Sequence, residues 1–385
     1  MPSQKASRVR AVSDTILVLV FLVAICLPAA DALLDLDPTR LAEHRRLAPP
    51  PVSRLSQPIE VSYTGAFESW WNDGFGFRRS LVVAYSRTLL ALGVSSTPSV
   101  IIGKSGWLFF AGDEALASYR AVRPFTEGEV MQWQRRMEQR QAWLAERGIR
   151  FLVVIAPNKE TIYPEFMPAR LNRVRETTRL DQLTAQMRAR SSVAIIDPRG
   201  ALQSAKAGGG ALYFRTDTHW NDAGAWLLHR EILKQLHVWY PEVEAAPAVP
   251  LIRVSSGWSG DLATMLGLEG RLAEDRLLLK PPRISREADP GPRPLDAQRR
   301  LSAAERPLAS RLRVVMFHDS FGLSLQPLLS ESCSRIVFSS GPTDWRLNFD
   351  PALVERERPA VVIQEIAERF AVASTSLRAD NPAAP

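Results

Sequence analysis

Cysteine is nearly absent: the 385 residues hold two, Cys26 and Cys333. Cys26 lies in an apolar N-terminal segment, so no structural disulfide between them is expected, and neither has the C-x-x-C neighbourhood of a zinc or redox site. Scarce cysteine leaves the redox compartment open. Histidine is also sparse, five in all, and no three or four metal-type ligands converge, so no metal site is expected. An internal repeat, a glycine-rich phosphate loop, a heptad run and a nucleic-acid-binding motif are all missing. Their absence argues against solenoid, phosphate-loop nucleotide, coiled-coil and nucleic-acid readings, and nothing asks for a cofactor. No pair of carboxylates stands out as the acid and base of a glycoside hydrolase.

What is present is an ordinary globular composition, 46% hydrophobic and 23% charged. That predicts a packed core, in one large domain with appendages or two small domains. Lys and Arg total 48 against 41 Asp and Glu, a net charge of +7. Such a balance suits an acidic polysaccharide or a membrane surface, but the charge is spread along the chain and reads mainly as general composition.

Lys5, Arg8 and Arg10 precede the unbroken apolar run from Ile16 to Leu27. Basic residues followed by about a dozen apolar ones are an export signal. The run is short of the roughly 20 residues of a full span, although Ala11-Val12 and Pro28-Ala29-Ala30 extend it. Ala29, Ala30 and Ala32 are small enough for a cleavage site. Residues 1–30 are therefore expected to be a signal-anchor or a signal peptide, with the anchor preferred. The rest of the chain is expected to be exported and held at the membrane by this segment.

Residues 31–98 read as an N-terminal extension with a break at Pro49-Pro50-Pro51. Its Phe67–Arg79 stretch mixes aromatics with arginines, as a partner or glycan surface would. Packing onto the main domain is the plainer reading. Residues 99–375 read as one α/β domain. It opens with a hairpin about Lys104-Ser105-Gly106, then a helix with a Thr126/Glu129 capping box, a buried face of Val130, Trp133, Met137 and Leu144, and Gly148 at its end. The runs Phe151–Ile155, Ser192–Ile196, Leu312–Phe317, Arg335–Phe338 and Ala360–Ile363 are of the kind found in buried parallel strands. Helical patterns lie between several of them, which predicts a three-layer domain with a mostly parallel sheet. The proline- and charge-rich stretch of about 240–310 reads as a variable surface excursion.

Two motifs carry the chemistry, Asp217-Thr218-His219-Trp220-Asn221 and His318-Asp319-Ser320-Phe321-Gly322. A serine hydroxyl becomes a nucleophile only with a base in hydrogen-bond reach and a group that orients the base. Asp217 and His219 are two apart, so in an extended loop they leave on the same side. Ser320 follows an apolar strand, where ligands gather in parallel sheets and where a helix start would favour an oxyanion. Structural roles compete: Ser320 as a helix N-cap, Asp217 or Asn221 capping the helix predicted from Asp222, and His219 as a surface polar group.

The ordered set Gly103-Lys104-x-Gly106-Trp107-Leu108-Phe109, Pro157-Asn158-Lys159-Glu160-Thr161-Ile162-Tyr163-Pro164, Asp217–Asn221, Gly260-Asp261-Leu262, Asp319-Ser320-Phe321 and Glu368-Arg369 resembles the bacterial alginate O-acetyltransferase family. That family has a domain similar to the SGNH hydrolases with permuted motif order, and the likeness covers roughly residues 60–372. It implies an exported enzyme that moves acetyl groups onto an exopolysaccharide, with Ser320, His219 and Asp217 as its triad. It also implies a membrane-bound O-acyltransferase that supplies the acetyl groups, and other polysaccharide secretion proteins as partners. Rotating the motif order makes Asn158 and Gly341 candidate oxyanion donors. Arg215, Trp220 and Trp258 are candidates for holding the glycan. His318 departs from the pattern, standing where a glycine is common. A polysaccharide acetylesterase with the same triad, and a noncatalytic glycan-binding component of a secretion complex, are the alternatives.

Overall fold

The computed structural model describes residues 3–34, 36, 48–51, 61–244, 251–279, 285–291, 299–308, 310–341 and 348–373. It divides into two compact units, Met1–Ser96 and Thr97–Pro385. The first holds the helices Ser3–Leu34, Val61–Asp73 and Arg78–Ala91. The apolar run of the first helix is exposed, from Val12 to Leu27. Among the described residues, no helix is long and apolar enough to cross a membrane. Within the second helix Phe67 and Trp71 stack on each other, with Trp70 5.7 Å from Phe67. Both cysteines are free, Cys26 exposed and Cys333 buried.

The second unit contains eleven described strands. They are β1 (Val100–Ile102), β2 (Leu108–Phe110), β3 (Arg150–Ala156), β4 (Ala194–Ile196), β5 (Leu251–Trp258), β6 (Glu274–Leu279), β7 (Arg286–Ala288), β8 (Arg300–Glu305), β9 (Arg313–His318), β10 (Arg335–Ser340) and β11 (Val361–Ala367). The hairpin β1–β2 turns through Ser105 and Gly106, both at positive φ. The main sheet has seven strands in the order β4-β3-β11-β9-β10-β8-β7. The first five run parallel, while β8 and β7 add antiparallel pairings at one edge, so the sheet is mixed.

Side-chain alternation in the central strands makes two cores. Leu152, Val154, Val314, Met316, Val361 and Ile363 face one side, where Ala225, Leu228, Ile232 and Leu236 of the Asp222–Trp239 helix join them. Phe151, Val153, Ile155, Val315, Phe317 and Val362 face the other, against Val130, Trp133, Met137 and Leu144 of Glu127–Ala145 and Leu180, Leu183 and Met187 of Arg179–Arg190. Strands buried on both faces need continuous apolar runs, which is what these have. Each such side chain contributes about 1.5–3 kcal/mol of burial. The result is three layers. The Thr126/Glu129 capping box starts the Glu127–Ala145 helix as its sequence predicts.

One expectation needs correcting. The 240–310 stretch is more than a surface excursion, because it supplies β5 to β8 and the short helix Asp261–Met265. Its strands are short and polar enough to read as loop, and two of them are held by pairing to the edge of the main sheet.

Candidate active site

The strands β3, β9, β10 and β11 run parallel and end on one edge of the sheet. Ser320 lies just beyond β9, in a tight turn of Ser320–Leu325. Asp319, not Ser320, is the cap of that turn. Its Oδ1 accepts from Phe321 N–H (2.9 Å) and its Oδ2 from Ala367 N–H (2.7 Å). Its own N–H donates to Glu365 Oε2 at 3.0 Å. The capping duty is thus taken by the neighbour, and Ser320 stays exposed. Burial and the adjacent Asp319 charge push the Glu365 carboxyl well above the ordinary carboxylate range.

His318 is fully buried and braces this turn from behind. Its Nδ1 lies 2.6 Å from the Asp319 carbonyl, so that nitrogen carries the proton, and Nε2 accepts from the Gln326 amide at 3.1 Å. Burial lowers its pKa and favours this neutral form. Gly322 permits the packing, since a Cβ there would stand 2.5 Å from His318 Cβ. The departure from a glycine at 318 is therefore accommodated by the glycine at 322.

The histidine loop precedes the Asp222–Trp239 helix, whose cap is Asn221, with Oδ1 accepting from Ala223 and Gly224 N–H. Asp217 is free for the imidazole. Its Oδ1 accepts from His219 Nδ1 at 2.7 Å, which leaves Nε2 as acceptor, and Ser320 Oγ lies 2.8 Å from that nitrogen. Burial opposes ionisation of Asp217, but the His219 hydrogen bond and charge, with donors from the Asp261 and His219 main chain, outweigh it and hold the carboxyl below its usual range. An oriented imidazole with an acceptor nitrogen on a serine hydroxyl can take the proton as that oxygen attacks an acyl carbon.

Asp261 was visible in the sequence only as part of a motif, and its place is beside the imidazole. Its Oδ2 is 3.7 Å from His219 Nδ1, its N–H donates to Asp217 Oδ2 (2.8 Å), and its Oδ1 accepts from Thr218 N–H (2.7 Å). Asp217, His219 and Asp261 have ligating atoms within 4.8 Å of one another, a convergence not evident in the sequence, with Nδ1 and Oδ1 already joined by a hydrogen bond. Lys159 holds the same loop from beneath. Its buried ammonium donates to the carbonyls of Phe214 (3.1 Å), Arg215 (3.2 Å) and Asp217 (2.5 Å). Burial lowers its pKa to about 8 against the pull of Asp217, Asp261, Glu160 and Glu274, so it stays charged at neutral pH. The signal for both residues was charge in a motif that ought to sit in a loop.

The other predicted site residues scatter. Trp220 is 1% exposed, with its indole N–H on Phe321 O and Ser324 Oγ, so it offers no face to a glycan. Trp258 is half-buried, 4.5 Å from the Phe214 ring and with the Arg276 guanidinium 5.1 Å from its own. Arg215 is exposed and lines a cavity of about 440 Å³ with Trp107, Tyr213 and Glu274. Asn158 follows β3, one strand removed from β9, or roughly 10 Å at the main chain. Its N–H donates to Glu368 Oε2, while its buried Oδ1 has no hydrogen-bond partner among the described residues and makes no cap hydrogen bond to the helix that follows. Gly341 follows β10, with Asn348 Oδ1 2.4 Å from where a Cβ would lie. Arg369, which no role was assigned, is buried with its guanidinium 5.3 Å from the Phe321 ring centre.

Ser320, His219 and Asp217 stand joined in series at the carboxyl edge of a three-layer α/β sheet, an arrangement that several unrelated hydrolase and acyltransferase folds share. The family described as "SGNH hydrolase-like domain, acetyltransferase AlgX" matches residues 100–292, and the chain belongs to it. It is 30% identical over 300 residues to the probable alginate O-acetylase AlgJ of Pseudomonas aeruginosa, covering 75% of this chain and 66% of that protein. It is 29% identical over 233 residues to the probable alginate O-acetylase AlgJ of Azotobacter vinelandii, covering 56% of this chain and 53% of that one. The chain thus spans about half to two thirds of the length of these curated relatives. A DHHW family protein from Eubacterium siraeum has a similar fold, with a TM-score of 0.51 at 14% identity over 72% of this chain and 97% of the other.

Proposed function

We propose that this protein is an exported O-acetyltransferase that places acetyl groups on hydroxyls of an exopolysaccharide through an acetyl-serine. The observation that carries the proposal is the unbroken series Ser320 Oγ–His219 Nε2 (2.8 Å) and His219 Nδ1–Asp217 Oδ1 (2.7 Å), with Ser320 exposed. Ser320 Oγ attacks the acetyl carbon and its proton passes to His219 Nε2. The acetyl C–O bond to the donor breaks, and the leaving oxygen takes that proton. A sugar hydroxyl then gives its proton to His219 and attacks the acetyl-serine carbon; the bond from that carbon to Ser320 Oγ breaks, and Oγ takes the proton back from His219. Asp217 stays ionised throughout and steadies the imidazolium. Asn158 and Gly341 are proposed as oxyanion donors, and Arg215 and Trp258 as glycan contacts.

The family and its alginate O-acetylase relatives support an acetylated uronate polymer as acceptor. A membrane-bound O-acyltransferase is the proposed source of acetyl groups and other polysaccharide secretion proteins are further partners. The proposed location is the periplasm, with residues 1–30 as anchor. The test incubates the full chain with an acetyl ester and oligouronates and follows products by mass spectrometry. Acetylated sugar that vanishes in Ser320→Ala supports the transferase. Free acetate alone indicates an acetylesterase, and no turnover with either acceptor indicates a noncatalytic glycan-binding role.

A further inference from the structure

We infer that Asp261 is a second carboxylate for the His219 imidazole, a positioning residue whose charge adds to that of Asp217 when the imidazolium forms. The inference rests on the acyl-transfer reading above and assigns one more residue to it. Asp261 Oδ2 faces Nδ1 from 3.7 Å, close enough for its charge to act on the imidazolium yet too long for a second hydrogen bond. Its other oxygen is fixed by Thr218, through the N–H at 2.7 Å and Oγ1 at 3.1 Å. Its N–H holds Asp217 Oδ2. The Asp261 main chain therefore orients the Asp217 carboxylate, and Thr218, between Asp217 and His219 in the chain, orients that of Asp261.

The fold gives up space for this unit. Gly260 packs so tightly that a Cβ would lie 2.4 Å from Asp217 Cβ and 2.5 Å from the Thr216 carbonyl. Gly260 N–H donates to Thr216 Oγ1, and Leu262 and Ala263 N–H both reach the Thr216 carbonyl. The turn carrying Asp261 is thus stitched to the loop carrying Asp217 and His219. Two carboxylates with oxygens within 4.8 Å of each other repel, and the charged groups around them set the balance. Lys159 lies below with its ammonium on the loop carbonyls, and Glu274 accepts from Thr216 N–H and Oγ1. The two aspartates respond oppositely: burial and the Asp217 charge raise the Asp261 carboxyl, while Asp217 is held low. On acidification Asp261 therefore takes a proton first, and the imidazole loses its second counter-charge while the Asp217 hydrogen bond remains.

The test compares the full-length wild type with Asp261→Asn, using 4-nitrophenyl acetate hydrolysis from neutral to acid pH. Asparagine keeps the shape and can still accept from Thr218 through its oxygen, while the group that faces His219 becomes an uncharged amide NH2. The expected result is a rate about tenfold below wild type at neutral pH, from loss of a charge near 4 Å. The ratio should collapse toward one as the pH falls and wild-type Asp261 becomes protonated. Asp261→Glu should recover part of the neutral-pH rate. A ratio that stays constant across pH, or a glutamate no better than asparagine, overturns the inference. Should Asp261→Asn not fold, Thr218→Val takes its place: it removes one donor to the Asp261 carboxylate and should move the acid decline to higher pH, and an unmoved decline overturns the inference equally. The outcomes separate from those of the functional reading. Hydrolysis without transfer to sugar defeats the transferase and leaves the Asp261 comparison readable.

Discussion

The Trp220 indole N–H donates to the Phe321 carbonyl at 3.2 Å and to Ser324 Oγ at 2.6 Å. The residue after His219 is thereby bonded to the residue after Ser320, and the two rings meet edge to face, 5.0 Å apart at 90°. The spacing between His219 and Ser320 is set by their neighbours as much as by their own contact. Trp220→Phe keeps most of the packing and removes the donor. It should cost about 1–2 kcal/mol in thermal unfolding and lower kcat on an acetyl ester by about tenfold with KM little changed. A normal kcat would show that the indole bond does not set the spacing.

Gly260→Ala tests the close approach of the Asp261 turn. The new methyl meets Asp217 Cβ at 2.4 Å and main-chain atoms of Thr216 and Asp217 at 2.5 and 2.6 Å. None is the free end of a flexible side chain, so the turn must move. A destabilisation of about 1–3 kcal/mol is expected, with activity falling further than stability does. Urea melts alongside kinetics distinguish this from simple unfolding.

Acid should weaken the fold through His229. This residue is buried on the Asp222–Trp239 helix, with Nε2 2.9 Å from Ser332 Oγ and Nδ1 without a hydrogen-bond partner among the described residues. Burial lowers its pKa from 6.5 to about 4. Because the folded value is depressed, its contribution is fully present above 6.5 and is lost as pH falls toward 4. The loss amounts to roughly 3 kcal/mol at most. His318 is lowered in the same direction, so His229→Leu should reduce the slope of stability against pH in this window without abolishing it. Chemical denaturation at a series of pH values measures it.

The two cysteines should differ sharply toward alkylation. Cys333 is buried against the sheet and its thiol is pushed up to about 12 by burial, while Cys26 is exposed. Iodoacetamide should label one site in the native protein and two in denaturant. Native labelling at Cys333 would contradict the packing described here.

Much of the fold was legible because its central strands are buried on both faces. Phe151–Ile155 and Val314–Phe317 had to be continuously apolar, and their runs announced them. The strands β7 and β8, Arg286–Ala288 and Arg300–Glu305, gave no such signal, since β7 is the edge strand and β8, beside it, keeps only Ala303 and Ala304 buried, so both can carry arginine and glutamate. At the site, Asp217, His219 and Ser320 were legible from residue type and order. Trp220 was misread because an aromatic beside a histidine looks like a stacking platform, while the partners of its N–H lie 101 and 104 residues away. Asp261 was hidden for a related reason: its role depends on a glycine that lets two turns touch, and no local pattern encodes the touching.

The order of the groups along the chain has a consequence of its own. His219 and Ser320 are 101 residues apart, and β5 to β8 together with the Asp261 turn are made between them. Closing so long a segment belongs among the slow, late events of folding. As the polypeptide emerges from its N-terminal end, Asp217, His219 and Asp261 are all made before Ser320 exists. Ser320 is thus the last of these four residues to be made, and β9, which carries it, reaches its place in the sheet only once β10 and β11, made later still, can pair with it.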